Sequence, residues 1–259
     1  MKSRCICGAF ILFCAVGLLS LPAVAGTWAP DTFVLAKPAL KTGNIRRLMR
    51  TVTTLDARKG NEKHAEVVKI VEKYFRTVKA LRHDGSVIFV FQMEARHMFK
   101  DGKKVLSPDQ PPTMTVMRLP DGKLTEVAKG KKLNEDTSVG AEVQDPLDEA
   151  ENLYPQKAVA VGDQWPITYM SRSNGLGQAE LTAATQMAGA KALNIKFTAE
   201  GNVKNTIGKF HVEGVITVNA MTCEVLKYET NESITTEEQI LTCHIVLLAL
   251  GKDPKEDPK

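Results

Sequence analysis

From Val87 to Phe99 the chain alternates with a period of two: Val87, Phe89, Phe91, Met93, Ala95, His97 and Phe99 fall on one side, and beyond Val90 the other side turns polar with Gln92, Glu94 and Arg96. This is the pattern of a strand with one buried face. The same period sets Leu193, Ile195, Phe197 and Ala199 against Asn194, Lys196 and Thr198, and Phe210, Val212, Gly214, Ile216 and Val218 against His211, Glu213 and Thr217. Trp165, Ile167 and Tyr169 begin a further strand, and Ala179, Leu181 and Ala183 another.

Turn signals separate these runs at Asp84-Gly85, Asp101-Gly102, Asp121-Gly122 and Glu200-Gly201-Asn202. Asp-Gly between alternating runs is a hairpin signal, because both residues tolerate positive φ. Asn61 to His83 carries a helical stripe (Val67, Val71, Phe75, Val78, Leu81), yet its Val, Ile, Tyr, Phe and Thr content favours a long strand. Ile45 to Leu55 supplies the strand before it. The predicted fold is all-β and mainly antiparallel: a large curved sheet, incomplete barrel or sandwich built from hairpins, with one short helix in a central connector.

That connector, residues 133–156, has no Lys or Arg and carries Glu135, Asp136, Glu142, Asp145, Asp148, Glu149 and Glu151. Asp145-Pro146 reads as an N-cap followed by Pro at the first helical position, predicting a helix from Pro146 to about Leu153. The acids lack the spacing of a calcium loop, so the segment is expected to be a solvated connector. It divides an N-terminal β half (26–132) from a C-terminal β half (157–250), and a charged tail with two Asp-Pro pairs (251–259) is expected to be disordered. Leu40-Lys41-Thr42-Gly43-Asn44 echoes Val159-Ala160-Val161-Gly162-Asp163, which suggests two related halves.

The first 25 residues change the picture of composition. Lys2 and Arg4, an apolar stretch from Cys5 to Leu21, Pro22 and Ala23-Val24-Ala25 read as a signal peptide cleaved between Ala25 and Gly26. The mature chain is therefore expected to be periplasmic or secreted. It keeps no apolar segment long enough for a transmembrane helix. Cleavage lowers the formal charge from +4 to +2 and leaves two of five cysteines, Cys223 and Cys243. A bridge between these two is disfavoured, because Cys243 reads as a small buried hydrophobe and Cys223 as a turn residue.

Few residues of the chain point to catalytic chemistry. There is no Gly-x-Ser-x-Gly elbow, phosphate-binding glycine loop or His-Glu-x-x-His, and Gly175-Leu176-Gly177 reads as a hairpin or loop. Of the scattered histidines (His64, His83, His97, His211, His244), His97 and His244 sit in apolar surroundings and are expected to be buried and hydrogen-bonded. No catalytic residue, metal site or cofactor is expected. Arg46, Arg47 and Arg50, and Lys129, Lys131 and Lys132, form basic runs that could touch anionic lipid or polymer, but such runs usually make a solvated face, and no nucleic-acid partner is expected.

One motif is more specific. Pro155-Gln156-Lys157-Ala158-Val159-Ala160-Val161-Gly162-Asp163-Gln164-Trp165 resembles the Pro-x-x-x-Val-x-Val-Gly-Asp-x-Trp signature of a family of uncharacterised bacterial envelope β proteins. Val78 to Gly85 and Gly214 to Cys223 are similar to the same family, whose last hairpin usually carries Thr-Gly where this chain has Cys223. That replacement also places Cys223 on an exposed turn. The resemblance implies an antiparallel β fold and an envelope location, with no activity attached. Many members are lipoproteins; this chain lacks the lipid-attachment cysteine.

The functional expectation is a non-catalytic binding or scaffold protein. Its curved sheet would hold a lipid, another apolar ligand or a segment of another envelope protein. Phe89, Phe91 and Met93, with Phe99 on the same face, are the candidate contacts, together with Trp165, which otherwise anchors the strand it opens. A structural protein with a closed core, or a hydrolase assembled from distant residues, are the alternatives.

Overall fold

The computed structural model describes residues 31–58, 60, 65–105, 113–120, 124–128, 131–132, 145–170, 173–187, 189–203 and 207–251. The expected signal peptide and Ala25-Gly26 junction, the Asp121-Gly122 turn, His64, Lys129, the acids Glu135, Asp136 and Glu142, and the tail from 252 lie outside these residues.

The first half runs through β1 (Thr32–Phe33), β2 (Ile45–Arg58), β3 (Glu66–Leu81), β4 (Val87–Lys100), β5 (Lys103–Val105), β6 (Met114–Arg118), β7 (Leu124–Ala128) and β8 (Lys131–Lys132). Helix α1 (Pro146–Asn152) follows. The second half runs through β9 (Val159–Ala160), β10 (Gln164–Met170), β11 (Ser173–Met187), β12 (Ala190–Val203), β13 (Gly208–Asn219), β14 (Val225–Thr236) and β15 (Gln239–Leu250). The long strand expected before Asp84-Gly85 is β3, and α1 starts where the Asp145-Pro146 pair predicts, with Asp145 Oδ1 accepting from the Leu147 N–H at 3.1 Å.

β1 and β9 pair with each other; the remaining thirteen strands form one antiparallel sheet in the order β10-β11-β12-β13-β14-β15-β2-β3-β4-β6-β7-β8, with β5 beside β4. The sheet is open, and both halves belong to it. Each half is a meander of hairpins. The seam between them, β15 against β2, joins Gln239–Leu250 to Arg47–Arg58.

The second half curls tightly. β10 and β13 are three strands apart, about 14 Å in a flat sheet, yet the rings of Tyr169 and Phe210 stack with centroids 5.6 Å apart. The reason lies in the row between them, Tyr169↔Gly175↔Gly201↔Phe210. Two glycines leave the inner face empty, and the flanking rings close over the gap. Gly175-Leu176-Gly177 and Glu200-Gly201-Asn202 are therefore strand interior, not the loop and turn their glycines suggest. At Gly177 a Cβ would fall 1.9 Å from the Thr198 carbonyl oxygen, so no other residue fits the bend.

The curl builds the core. Tyr169 also stacks on Phe197 (6.0 Å), and Phe197 on Tyr228 (6.2 Å). The Tyr169 hydroxyl donates to Glu232 Oε1 at 2.6 Å and lies 3.3 Å from that of Tyr228. Leu147, Ala150 and Leu153 pack onto this face, and the same cluster reaches Leu48 and Tyr74 of the first half. Trp165 is buried under α1, its indole N–H donating to the Leu153 carbonyl at 2.8 Å.

In β4 the pairs Tyr74↔Met93 and Lys73↔Ala95 leave Glu94 as a bulge. Phe89, Phe91 and Met93 share the face of Tyr74, Arg76 and Val78, but beyond the bulge His97 and Phe99 pair with Val71 and Lys69 on the opposite face. Phe99 is thus not on the face of the other three, because one extra residue reverses the side every later side chain takes.

The two echoing segments adopt one hydrogen-bond pattern. Gly43 N–H donates to Val78 O and Val78 N–H to Asn44 O; Gly162 N–H donates to Leu181 O and Leu181 N–H to Asp163 O. Both glycines have positive φ (88° and 95°), and each anchoring residue borders an irregularity in strand register, between Val78 and Ala80 and between Leu181 and Ala183. The halves repeat the same strand entry.

Candidate functional site

A cavity of about 690 Å³ lies where the start of β2, the later part of β3, helix α1 and the segment before β2 meet. Pro38, Ala39, Leu40, Ile45, Phe75 and Val78 give it an apolar wall. The segment before β2 is held at Leu35, buried in the core, at Val34, whose carbonyl lies 3.5 Å from Cys223 Sγ, and at Lys37, whose Nζ donates to Asn152 Oδ1 at 2.5 Å.

The polar wall is made by Arg46, Arg47, Arg76, Glu151 and Glu224. Arg47 pairs with the bulge residue Glu94 (Nε–Oε2 2.7 Å) and lies 6.0 Å from the Phe75 ring centroid. Arg76 stacks 4.0 Å above Phe89 and is clamped by two acids of the helix start: Nε is 2.5 Å from Asp145 Oδ2, and Nη2 donates to Asp148 Oδ1 at 2.9 Å. Arg118 completes the clamp by donating to Asp148 Oδ1 at 2.6 Å. Burial pulls the Arg76 pKa down, but Asp145, Asp148 and Glu151 raise it overall. Burial also lifts Asp145, against the opposing charge of Arg76.

Arg46 is held differently. β15 ends at Leu250, whose partner is Arg47. Arg46 therefore lies past the end of that strand and reaches across it to donate to the Val225 carbonyl at 2.5 Å. Glu151 on α1 is 5% exposed, and burial, with Asp148 close by, pushes its pKa up to about 7.

These contacts correct three expectations. Arg46, Arg47 and Arg50 are not a solvated face: Arg47 is buried, and Arg50 Nη2 meets the buried Glu72 at 2.5 Å. The acidic connector from Asp145 to Glu151 is not solvated either, because Asp145 and Asp148 are the counter-ions of Arg76 and Arg118 and Glu151 is buried. Cys223 sits on its turn with φ 57°, a glycine-like conformation, but it is buried because the segment around Val34 crosses it. Neither Cys223 nor Cys243 forms a disulfide among the described residues.

The candidate contact residues lie elsewhere. Phe89 is fully buried against Val78 and Val87; Phe91 is half-buried against it, and Phe91 and Met93 both pack on the main core. Trp165 belongs to that core from the far end of the sheet. None of the four lines the cavity, which instead uses charged residues whose partners only the fold reveals. The signal for them was present in complementary form: arginines at one end of β2 and β3, and a helix with acids and no bases.

His97 is exposed and His244 half-exposed, so neither is the buried histidine expected; the irregular register of β4 turns His97 outward, and His244 Nε2 lies 3.1 Å from Glu229 Oε1 at the surface. His211 Nδ1 lies 3.2 Å from Glu200 Oε1. Each histidine of these two pairs has its own glutamate. Among the described residues no group of three or more His, Cys, Asp or Glu is placed to hold a metal, and no helix is long and apolar enough to cross a membrane.

No family model matches the chain, and no curated protein does. A solved structure, "Lipid-protein interactions in lipovitellin", is similar over 82% of this chain and 26% of that one, at 7% identity and a TM-score of 0.47. The chain spans about a quarter of the length of that relative.

Proposed function

We propose that the chain is an exported, non-catalytic binding protein of the bacterial cell envelope that holds an apolar ligand in the cavity beside α1. The observation that carries this is the cavity itself. At about 690 Å³ it falls within the roughly 300–1,000 Å³ of small-molecule sites, with an apolar wall and a few polar groups. The packing of Trp165, the aromatic stack and α1 on the helix-bearing face favours the cavity over Phe89, Phe91 and Met93 as the ligand's seat. That filled core supports a second, structural role for the C-terminal half as the rigid frame of the site. The Pro155 to Trp165 signature and the leader support the envelope location.

Organic extraction of protein purified from its native envelope, followed by mass spectrometry, is expected to release an apolar molecule in stoichiometric amount. Protein that carries none, and that leaves the fluorescence of the neutral apolar probe N-phenyl-1-naphthylamine unchanged, would end the binding reading. Export is tested separately by sequencing the mature N-terminus: Gly26 is expected, and a retained Met1 overturns it.

A further inference from the structure

We infer that the cavity takes a single-chain anionic amphiphile, its carboxylate-like head on Arg46 and its chain along Leu40, Ile45, Phe75 and Val78. This rests on the binding reading above and adds the charge and form of the ligand.

The charges of the wall do not balance locally. Arg47 has Glu94, and Arg76 has Asp145 and Asp148. Among the described residues Arg46 has no carboxylate within ion-pair distance; its hydrogen-bond partner is the neutral carbonyl of Val225. A guanidinium has five N–H donors in a planar fork that fits a carboxylate with two parallel bonds, and one carbonyl leaves most of that fork unused. The two acids of the wall do not fill it. Glu224 is exposed and accepts from the Thr222 hydroxyl. Glu151 is not within ion-pair distance of Arg46, whose charge only partly opposes the effect of burial, and its pKa of about 7 leaves much of it uncharged at neutral pH. An anion entering beside Arg46 therefore gains a counter-ion without displacing one.

The apolar wall selects the rest of the ligand. Leu40 and Ile45 flank the Gly43-Asn44 turn, and Phe75 and Val78 line the cavity from the two faces of β3. A bare anion would leave this surface wet, whereas an acyl chain covers it and gains free energy with each methylene buried.

The test compares decanoate, decan-1-ol and inorganic phosphate, each titrated calorimetrically into the purified full-length chain and into its Arg46→Met and Arg46→Lys variants. The expected result is decanoate bound about tenfold to a hundredfold more tightly than decan-1-ol, the range for a charge-assisted hydrogen bond. Phosphate should bind far more weakly than either. Arg46→Met should remove the preference for decanoate over decan-1-ol, and Arg46→Lys should restore part of it. Decan-1-ol binding as tightly as decanoate overturns the anionic head while the binding reading stands. Phosphate binding as tightly as decanoate overturns the chain. If neither decanoate nor decan-1-ol binds, the binding reading falls and this inference with it. The wild-type comparison decides the matter even where a variant fails to fold.

Discussion

Arg76 Nε and Asp145 Oδ2 lie 2.5 Å apart with side chains 3% and 1% exposed, and this ion pair ties the start of α1 to the middle of β3. The contact is one of charge more than of a directed hydrogen bond, so its worth depends on both partners staying. Arg76→Ala is expected to cost about 3–5 kcal/mol, because it leaves buried carboxylates without their counter-ion. The double variant Arg76→Met/Asp145→Asn keeps a good N-cap and should recover most of the loss in urea unfolding. A double variant as unstable as the single one would mean that the pair itself holds the helix.

Glu151 makes stability depend on pH. Its pKa of about 7 stands above the ordinary 4.5, owing first to burial and then to Asp148, with Arg76 and Arg46 opposing and Asp145 adding to the rise. Between those two values the folded state binds more protons than the unfolded one, so stability falls as pH rises from about 4.5 to 7. The full loss is on the order of 3 kcal/mol. Glu151→Gln should flatten this slope in denaturation curves taken at pH 5, 6, 7 and 8. An unchanged slope would place the titrating group elsewhere.

The Tyr169 hydroxyl, whose pKa burial drives far upward, stays a donor to Glu232 at all ordinary pH. Tyr169→Phe keeps the stacked ring and removes the hydroxyl that donates to Glu232 and lies beside that of Tyr228. It should destabilise by about 1–3 kcal/mol, the cost of removing a buried hydrogen bond to a charged acceptor. A melting temperature equal to wild type would show that the Tyr228 hydroxyl takes over.

A methyl group at Gly214 would lie 2.5 Å from the Glu229 carbonyl oxygen and 2.7 Å from Phe197 Cζ. Gly214→Ala is expected to cost about 1–3 kcal/mol by overpacking, and adding Phe197→Leu should relieve only the ring's share. Circular dichroism melts of the single and double variants measure both.

Cys223 sets two effects against each other. Glycine at this position would relieve a left-handed conformation worth about 1–2 kcal/mol and lose the burial of a small side chain of similar worth. Cys223→Gly should therefore change stability by less than about 1 kcal/mol. A larger loss would show that thiol packing beneath Val34 dominates.

The period-two pattern revealed the strands, and Asp145-Pro146 the helix, because each is a local property. Sheet curvature was hidden. Gly175 and Gly201 read as turn residues until the rings of Tyr169 and Phe210 are known to flank them across four strands. The reversal after Glu94 was hidden for the same reason, since a bulge is defined by the neighbouring strand. The cavity was legible only as loose charge: Arg46 and Glu151 are 105 positions apart, and nothing local says that the end of β15 leaves Arg46 reaching past it.

The β15–β2 seam has a consequence for how the molecule can form. The centre of the sheet is made from the first long strand and the last, so every other long-range pairing can be in place while β2 still waits for β15. Until residues 239–250 are available, β2 presents an unpaired edge, with Leu48 and Val52 on one of its faces. Closing so distant a pairing is slow, and such an edge invites association with other chains. Loss of residues 239–250 should thus do more than remove one strand: it would split the sheet down its middle.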